Sequence, residues 1–185
     1  MSAERPRVRR VATTDLAPVE VAAIREIMTL AFGDDEDERF TDADWAHALG
    51  GVHVVVDLDG EIVAHAAVVE RELQVAGLPL RTGYVEAVAT TPRRQGEGHG
   101  TLAMREVNAI IRERFELGAL GTGSHHFYER LGWITWVGPT FVRTRDGLVR
   151  TPDEDGYILV LETPTSAQLD ISAPLSCEWR PGDVW

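Results

Sequence analysis

Val88-Ala89-Thr90-Thr91-Pro92-Arg93-Arg94-Gln95-Gly96-Glu97-Gly98-His99-Gly100-Thr101-Leu102 joins an apolar strand to a helix through a loop with glycine at every second position. Upstream, Leu80 to Ala89 reads as the strand. Downstream, Met104, Val107, Ile111 and Phe115 recur at helical spacing and predict a helix from about Thr101 to Phe115. Glycines let a backbone approach a bulky anion, and the free amides at a helix start, with the helix dipole, stabilise negative charge. The loop therefore predicts a phosphate or pyrophosphate ligand. A plain connecting loop is the competing reading, and it leaves three alternating glycines at a helix entrance unexplained. There is no GxxxxGK[ST] sequence for a P-loop, and the strand does not open the alternating βαβ run of a dinucleotide fold.

Working outward, Val52 to Leu58 and Glu61 to Leu73 flank Asp59-Gly60, the dipeptide that a two-residue hairpin favours. Val21, Ile24, Ile27, Met28 and Ala31 predict a helix over 18–32, with Pro18 in its first turn and Gly33 at its stop. Gly77, Leu78 and Pro79 read as a turn, His125 to Arg130 as a small helix, and Leu117 to Leu120, Trp133 to Val137 and Tyr157 to Leu161 as apolar or strand segments. The last stretch of the chain reads as irregular. Hairpins preceding one strand, loop and helix unit imply a mixed α/β (α+β) sheet and not a doubly wound one. The 185 residues, 44% hydrophobic, suit one domain over 1–185, with the arginine-rich residues 1–10 expected to form a flexible basic tail.

Eighteen Lys plus Arg face 30 Asp plus Glu, a net charge of -12, so the summed field repels nucleic acid and attracts cations. A polycationic small ligand fits this sign, and so does plain solubility. Asp34 to Glu38 are five consecutive acids and read as a solvated loop unless a cationic partner orders them. No apolar run approaches the roughly 20 residues of a membrane span, and Arg5, Arg7, Arg9 and Arg10 precede no signal-like apolar core, so a cytoplasmic protein without a membrane partner is expected. The single cysteine, Cys177, allows no intrachain disulfide, and His125-His126 lack ligand-spaced partners, so no metal is expected.

The segment Gln95 to Gly100 after Val88 to Pro92 resembles the Q/R-x-x-G-x-G/A signature of the GNAT superfamily of acetyl-CoA-dependent N-acetyltransferases. Phe127-Tyr128-Glu129-Arg130-Leu131-Gly132-Trp133 is similar to its FYxxLGF segment. The resemblance implies a mostly antiparallel mixed sheet flanked by helices and splayed at the site of acetyl-CoA, the co-substrate. It assigns Val88, Ala89 and Thr90 to the pantetheine arm, and Gln95, Gly96, Glu97, Gly98, His99 and Gly100 to the pyrophosphate. A narrower resemblance spans nearly the whole chain. Trp45 with Leu49-Gly50-Gly51 and His53, 62–68, 83–89, 151–156 and the terminal Trp179-Arg180-Pro181-Gly182-Asp183-Val184-Trp185 look like the aminoglycoside 2'-N-acetyltransferases. That family implies acetylation of an aminoglycoside 2'-amino group by direct transfer, antibiotic resistance, and a homodimer. The chain departs from it in a longer acidic loop at 34–39 and in Gly121-Thr122-Gly123-Ser124-His125-His126.

Acetyl transfer to an amine needs the amine neutral and the departing thiolate stabilised. The resemblance assigns Glu86 to substrate binding and water-relayed proton removal; a strand acid paired with an arginine is the alternative. Tyr128 is implied as proton donor to the thiolate, against a core aromatic with a satisfied hydroxyl. The terminal Trp185 would bring an α-carboxylate on an apolar anchor into the antibiotic pocket, although chain ends usually fray. Asp35, Ala87, Gly121, Asp153, Glu154 and Asp183 complete the implied substrate side. The same fold acetylating another polyamine, aminosugar or metabolite, and a non-catalytic binder of cationic ligands, are the competing functions.

Overall fold

The computed structural model describes residues 5–33 and 39–185. In chain order its elements are β1 (Arg7–Ala12), α1 (Pro18–Phe32), α2 (Asp42–His47), β2 (Val52–Leu58), β3 (Glu61–Val75), β4 (Leu78–Thr90), α3 (His99–Arg114), β5 (Leu117–Gly121), α4 (His125–Glu129), β6 (Ile134–Thr135), β7 (Thr140–Thr144), β8 (Gly147–Arg150), β9 (Ile158–Glu162) and β10 (Leu175–Glu178). Short 3-10 turns occupy Thr13–Asp15, Pro92–Arg94 and Pro152–Glu154. Contacts divide the chain into two compact units, Met1–Val69 with Val85–Val107 and Glu70–Tyr84 with Asn108–Trp185. Strands β3 and β4 and helix α3 each contribute residues to both units.

In the first unit, β1, β2 and β3 pair antiparallel, and Asp59 and Gly60 turn the β2–β3 hairpin with φ of 52° and 81°. Both angles are positive, as a tight turn matching the strand twist requires. Val54 to Val56 and Val63 to Val69 are buried at every position, so both faces of these strands are covered. Ile24, Ile27 and Met28 of α1 pack with Trp45 of α2, Val55, Ala67 and Ala89. Thr41 caps α2 reciprocally: its hydroxyl accepts from the Asp44 amide at 3.3 Å, and its amide donates to the Asp44 carboxylate at 2.7 Å.

Arg7 to Arg10 depart from the expected basic tail, because they belong to β1 and pair with Asp57 to Val54 of β2. Charge explains the order. Arg9 reaches Asp57 at 2.6 Å and Glu20 at 2.8 Å, so arginines that read as solvating are neutralised by acids distant in sequence.

In the second unit the strand order is β6-β9-β5-β4-β3-β10-β7-β8, with β4–β5 and β7–β10 parallel and β5–β9, β6–β9, β3–β10 and β7–β8 antiparallel. This is the mixed, mostly antiparallel α+β class expected. The end of the chain departs from its irregular reading: Leu175 to Cys177 pair with β3 and Leu175 to Glu178 with β7. Four residues carry no readable period, and only the flanking strands specify the pairing. The strand predicted over 133–137 shortens to β6 because Trp133 turns its indole inward to Asn108.

Asn108, 5% exposed, accepts from the Trp133 indole at 2.9 Å and donates to the Leu131 carbonyl at 2.9 Å. Asn108→Ala strands two buried polar groups, so a loss of about 3 kcal/mol is expected, read as a lower urea midpoint at unchanged m value.

Candidate active site

In the first unit the site is made of main chain. The parallel β4–β5 ladder, which belongs to the second unit, is three pairs long, Thr82↔Leu117 to Tyr84↔Ala119, whereas β4 itself runs on to Thr90 in the first unit. Within that extension Ala87 has φ of 51°, a left-handed conformation that costs a non-glycine residue about 1–3 kcal/mol. The His65 ring lies beside it, with Nδ1 2.8 Å from the Ala87 carbonyl oxygen. Glu86 is half-buried immediately before this kink, and Val88, Ala89 and Thr90 follow it.

The Thr91 amide donates to the Val63 carbonyl at 2.9 Å, fixing the start of the loop on β3, and the Gln95 side chain donates to the Thr90 carbonyl at 3.3 Å. Gly96 and Gly98 have φ of 81° and 89°, and no atom lies within 4 Å of where their Cβ atoms would be. Positive φ and open space together explain glycine at both positions. Helix α3 then begins, its Leu102 amide reaching the Gly98 carbonyl at 3.0 Å, so the amides of the preceding turn have no acceptor inside the helix. His99 is 4% exposed, with Nε2 3.2 Å from Glu97 and no partner at Nδ1. Open space where the Cβ atoms would lie and helix-entrance amides fit a pyrophosphate, the group that the glycine spacing predicts. Arg94, which sequence reasoning did not single out, lies 3.4 Å from Glu97 and 3.8 Å from Asp59 beside this loop.

The second unit gathers the remaining expected residues. Gly121 ends β5 opposite Ile158, and Tyr128 in α4 is 8% exposed, its ring edge-on to Phe127 and Trp133. Burial pushes the Tyr128 hydroxyl up to about 12, so it keeps its proton at neutral pH. Trp185 is docked, not frayed: it is 4% exposed and its indole donates to the Thr151 hydroxyl at 3.0 Å, while its amide donates to Asp183 at 3.1 Å. Asp153, Glu154 and Asp183 belong to the same cluster. Burial, then repulsion from Asp183 and Asp153, raises the Glu154 carboxyl above the usual carboxylate range. Asp35 lies outside the described residues.

Two arginines that sequence reasoning missed build this end. Arg71 is 5% exposed; it donates to the Glu178 carbonyl at 3.1 Å and the Val184 carbonyl at 2.8 Å, and lies 4.6 Å from the Tyr84 ring centroid. Arg180 donates to the Asp183 and Trp185 main-chain oxygens at 2.7 and 2.9 Å and is 5.5 Å from the same ring. The available signal was parity. Arg71 shares the period-2 face of Val69 and Leu73, where a cation needs a buried partner.

A strand that outruns its parallel neighbour, a glycine cradle at a helix entrance and the mixed sheet agree with the acetyltransferase fold that the sequence resembles. The family model described as an acetyltransferase (GNAT) domain matches residues 13–135. The chain is 41% identical over 181 residues to the aminoglycoside 2'-N-acetyltransferase of Mycolicibacterium fortuitum, covering 96% of this chain and 91% of that one. It therefore belongs to the GNAT acetyltransferases and, within them, to the aminoglycoside 2'-N-acetyltransferase family. Among solved structures, a GNAT family acetyltransferase from Brucella melitensis in complex with acetyl-CoA aligns with TM-score 0.55 at 23% identity, over 71% of this chain and 84% of that one. A GCN5-related N-acetyltransferase from Kribbella flavida aligns with TM-score 0.58 at 22% identity over 72% of this chain, which spans only 34% of that protein. At such identities these two structures establish the fold alone.

A carboxyl whose folded-state pKa lies above its unfolded value disfavours folding as pH rises through it. Glu154→Gln removes that repulsion, so at pH 7 the free protein should melt about 2 °C higher. Thermal unfolding followed by circular dichroism checks this, and the difference should vanish as pH falls below the carboxylate range, where Glu154 is neutral in both states.

Proposed function

We propose that this protein transfers the acetyl group of acetyl coenzyme A to the 2'-amino group of an aminoglycoside, directly and without an acyl-enzyme, and thereby confers resistance. The observation that carries this reading is the carboxylate cluster of Asp153, Glu154 and Asp183 around the docked Trp185, a surface whose own repulsion is relieved by a ligand bearing several ammonium groups. Family membership supports the same chemistry.

When bound, acetyl coenzyme A supplies the activated acetyl thioester. In this reading the amides from Gln95 to Gly100 hold its pyrophosphate, and the main chain of Val88, Ala89 and Thr90 aligns its arm. Asp183, Asp153, Glu154 and Trp185 bind substrate ammonium and hydroxyl groups, and Ala87 and Gly121 are likewise assigned to the substrate. An alkylammonium is overwhelmingly protonated at neutral pH, so Glu86 accepts one of its protons, directly or through water. The neutral nitrogen then forms the new N–C bond as the C–S bond breaks, and the acylated nitrogen gives up its second proton to solvent to become the neutral amide. Tyr128 donates its O–H to the departing sulfur. Held up to about 12, that hydroxyl is a poorer acid than an ordinary thiol near 8.5, so its contribution is a hydrogen bond to the developing thiolate, with solvent restoring the thiol proton. The reading also carries a single catalytic domain over 1–185, a homodimer, and a cytoplasmic location. Among the described residues no helix is long and apolar enough to cross a membrane.

Free-thiol release from acetyl coenzyme A, measured across aminoglycosides with and without a 2'-amino group, tests the assignment. Release confined to those bearing the amine is expected, and equal rates irrespective of it overturn the regiochemistry. Deleting Trp185 should lower aminoglycoside kcat/KM tenfold to a hundredfold, about 1.5–3 kcal/mol for a charge-assisted contact, while coenzyme A affinity measured by calorimetry stays within about threefold.

A further inference from the structure

Two histidines, His53 of β2 and His65 of β3, are fully buried in the first unit and lie tilted beside Trp45, with ring centroids 5.7 and 6.3 Å from its own. They form a chain of hydrogen bonds. His65 Nδ1 lies 2.8 Å from the Ala87 carbonyl oxygen, His53 Nδ1 lies 2.9 Å from His65 Nε2, and the Thr13 hydroxyl lies 2.9 Å from His53 Nε2. The Gly50 amide donates to that hydroxyl at 2.9 Å.

A carbonyl oxygen can only accept, and this sets the direction of the whole chain. His65 must carry its proton on Nδ1. Its Nε2 is then a lone pair, which His53 satisfies only from Nδ1–H, leaving His53 Nε2 to accept from Thr13. Burial keeps both imidazoles neutral, pushing His53 down to about 4 and His65 lower still, and the adjacent rings disfavour a second charge. The last donor in the chain meets the carbonyl of the residue whose left-handed φ turns β4 between Glu86 and Val88.

We propose that His65, backed by His53 and Thr13, is a positioning residue that locks the Ala87 kink and so sets the direction of Glu86 and of the Val88 to Thr90 backbone. This rests on the acetyltransferase reading for what those groups do. The hydrogen-bond chain itself does not. An alanine in the left-handed region relaxes toward extended backbone unless something holds it. Without the His65 donor, the ligand-facing amides and the Glu86 carboxylate lose their alignment while the surrounding apolar core remains.

The test compares His65→Leu, which removes the donor, with His65→Asn, whose side-chain amide keeps a donor near Nδ1, each alone and with Ala87→Gly. Thermal unfolding first confirms that every variant is folded at the assay temperature. His65→Leu should weaken coenzyme A binding by calorimetry tenfold or more and lower kcat by a similar factor, and His65→Asn should recover most of both. In the Ala87→Gly background the cost of His65→Leu should shrink to less than threefold, because glycine holds positive φ without help. A cost that is equal in both backgrounds, or an Asn variant as impaired as Leu, overturns the proposal. Nitrogen-15 spectra of the imidazoles should show both rings neutral and protonated on Nδ1 at pH 6.5; a proton on Nε2 of either also overturns it. If the wild type binds coenzyme A but acetylates no aminoglycoside, the substrate assignment fails and the affinity and spectra still decide the role of His65.

Discussion

The hydrogen bond from His65 to the Ala87 carbonyl governs a conflict built into strand β4. Its early residues Thr82 to Tyr84 are fully buried in a parallel ladder, while its later residues have to offer main-chain groups to a ligand. A regular strand cannot change role midway without a break in its alternation, and the break falls at Ala87, at a conformational cost. Neutral imidazoles suit the task because they donate inside an apolar core without bringing charge. The loop that follows inherits its position from the same place: Thr91 is tied to Val63 one turn before Gly96 and Gly98 open toward the entrance of α3.

Electrostatics divides the molecule's acids by purpose. Asp57 and Glu20 neutralise Arg9 and hold β1 in place, and Asp155 accepts from Arg150 and from the Thr140 amide and hydroxyl, which drives its carboxyl down to about 2. Those acids are satisfied and structural. Glu154 is the opposite case, crowded by like charges and partly desolvated. Acids that destabilise the free fold are where a cationic ligand gains most on binding, so a site for a polyamine is best sought at the repelled carboxylates and not in the net charge.

The C-terminal segment illustrates how a few buried donors order a stretch with little intrinsic preference. Arg71 and Arg180 supply donors to the Glu178, Asp183, Val184 and Trp185 main-chain oxygens, and both guanidinium groups face the Tyr84 ring. Cys177 adds a weak donor to the Val184 carbonyl at 3.2 Å, which accounts for a buried thiol with no chemical task. The aromatic composition of 179–185 predicts a docked segment but not the arginines that dock it: the Arg71 acceptors lie 107 and 113 residues along the chain, so only its place on an apolar strand face marks it, and Arg180 turns back onto its own segment.

What the sequence by itself determined is what short-range physics controls: the α1 stripe, the Asp59-Gly60 hairpin, the glycine loop entering α3 and, through the motifs around it, the family. The pyrophosphate cradle was legible because glycine spacing and a helix start are local facts. Tertiary structure alone decided the rest. The arginine-rich start became β1 because Asp57 and Glu20 meet Arg9, Leu175 to Glu178 became a strand because β3 and β7 flank it, and Ala87 turned left-handed because a buried histidine from another strand holds its carbonyl. In each case a partner many residues away supplies the free energy that local propensity does not, so no window of sequence could contain the cause.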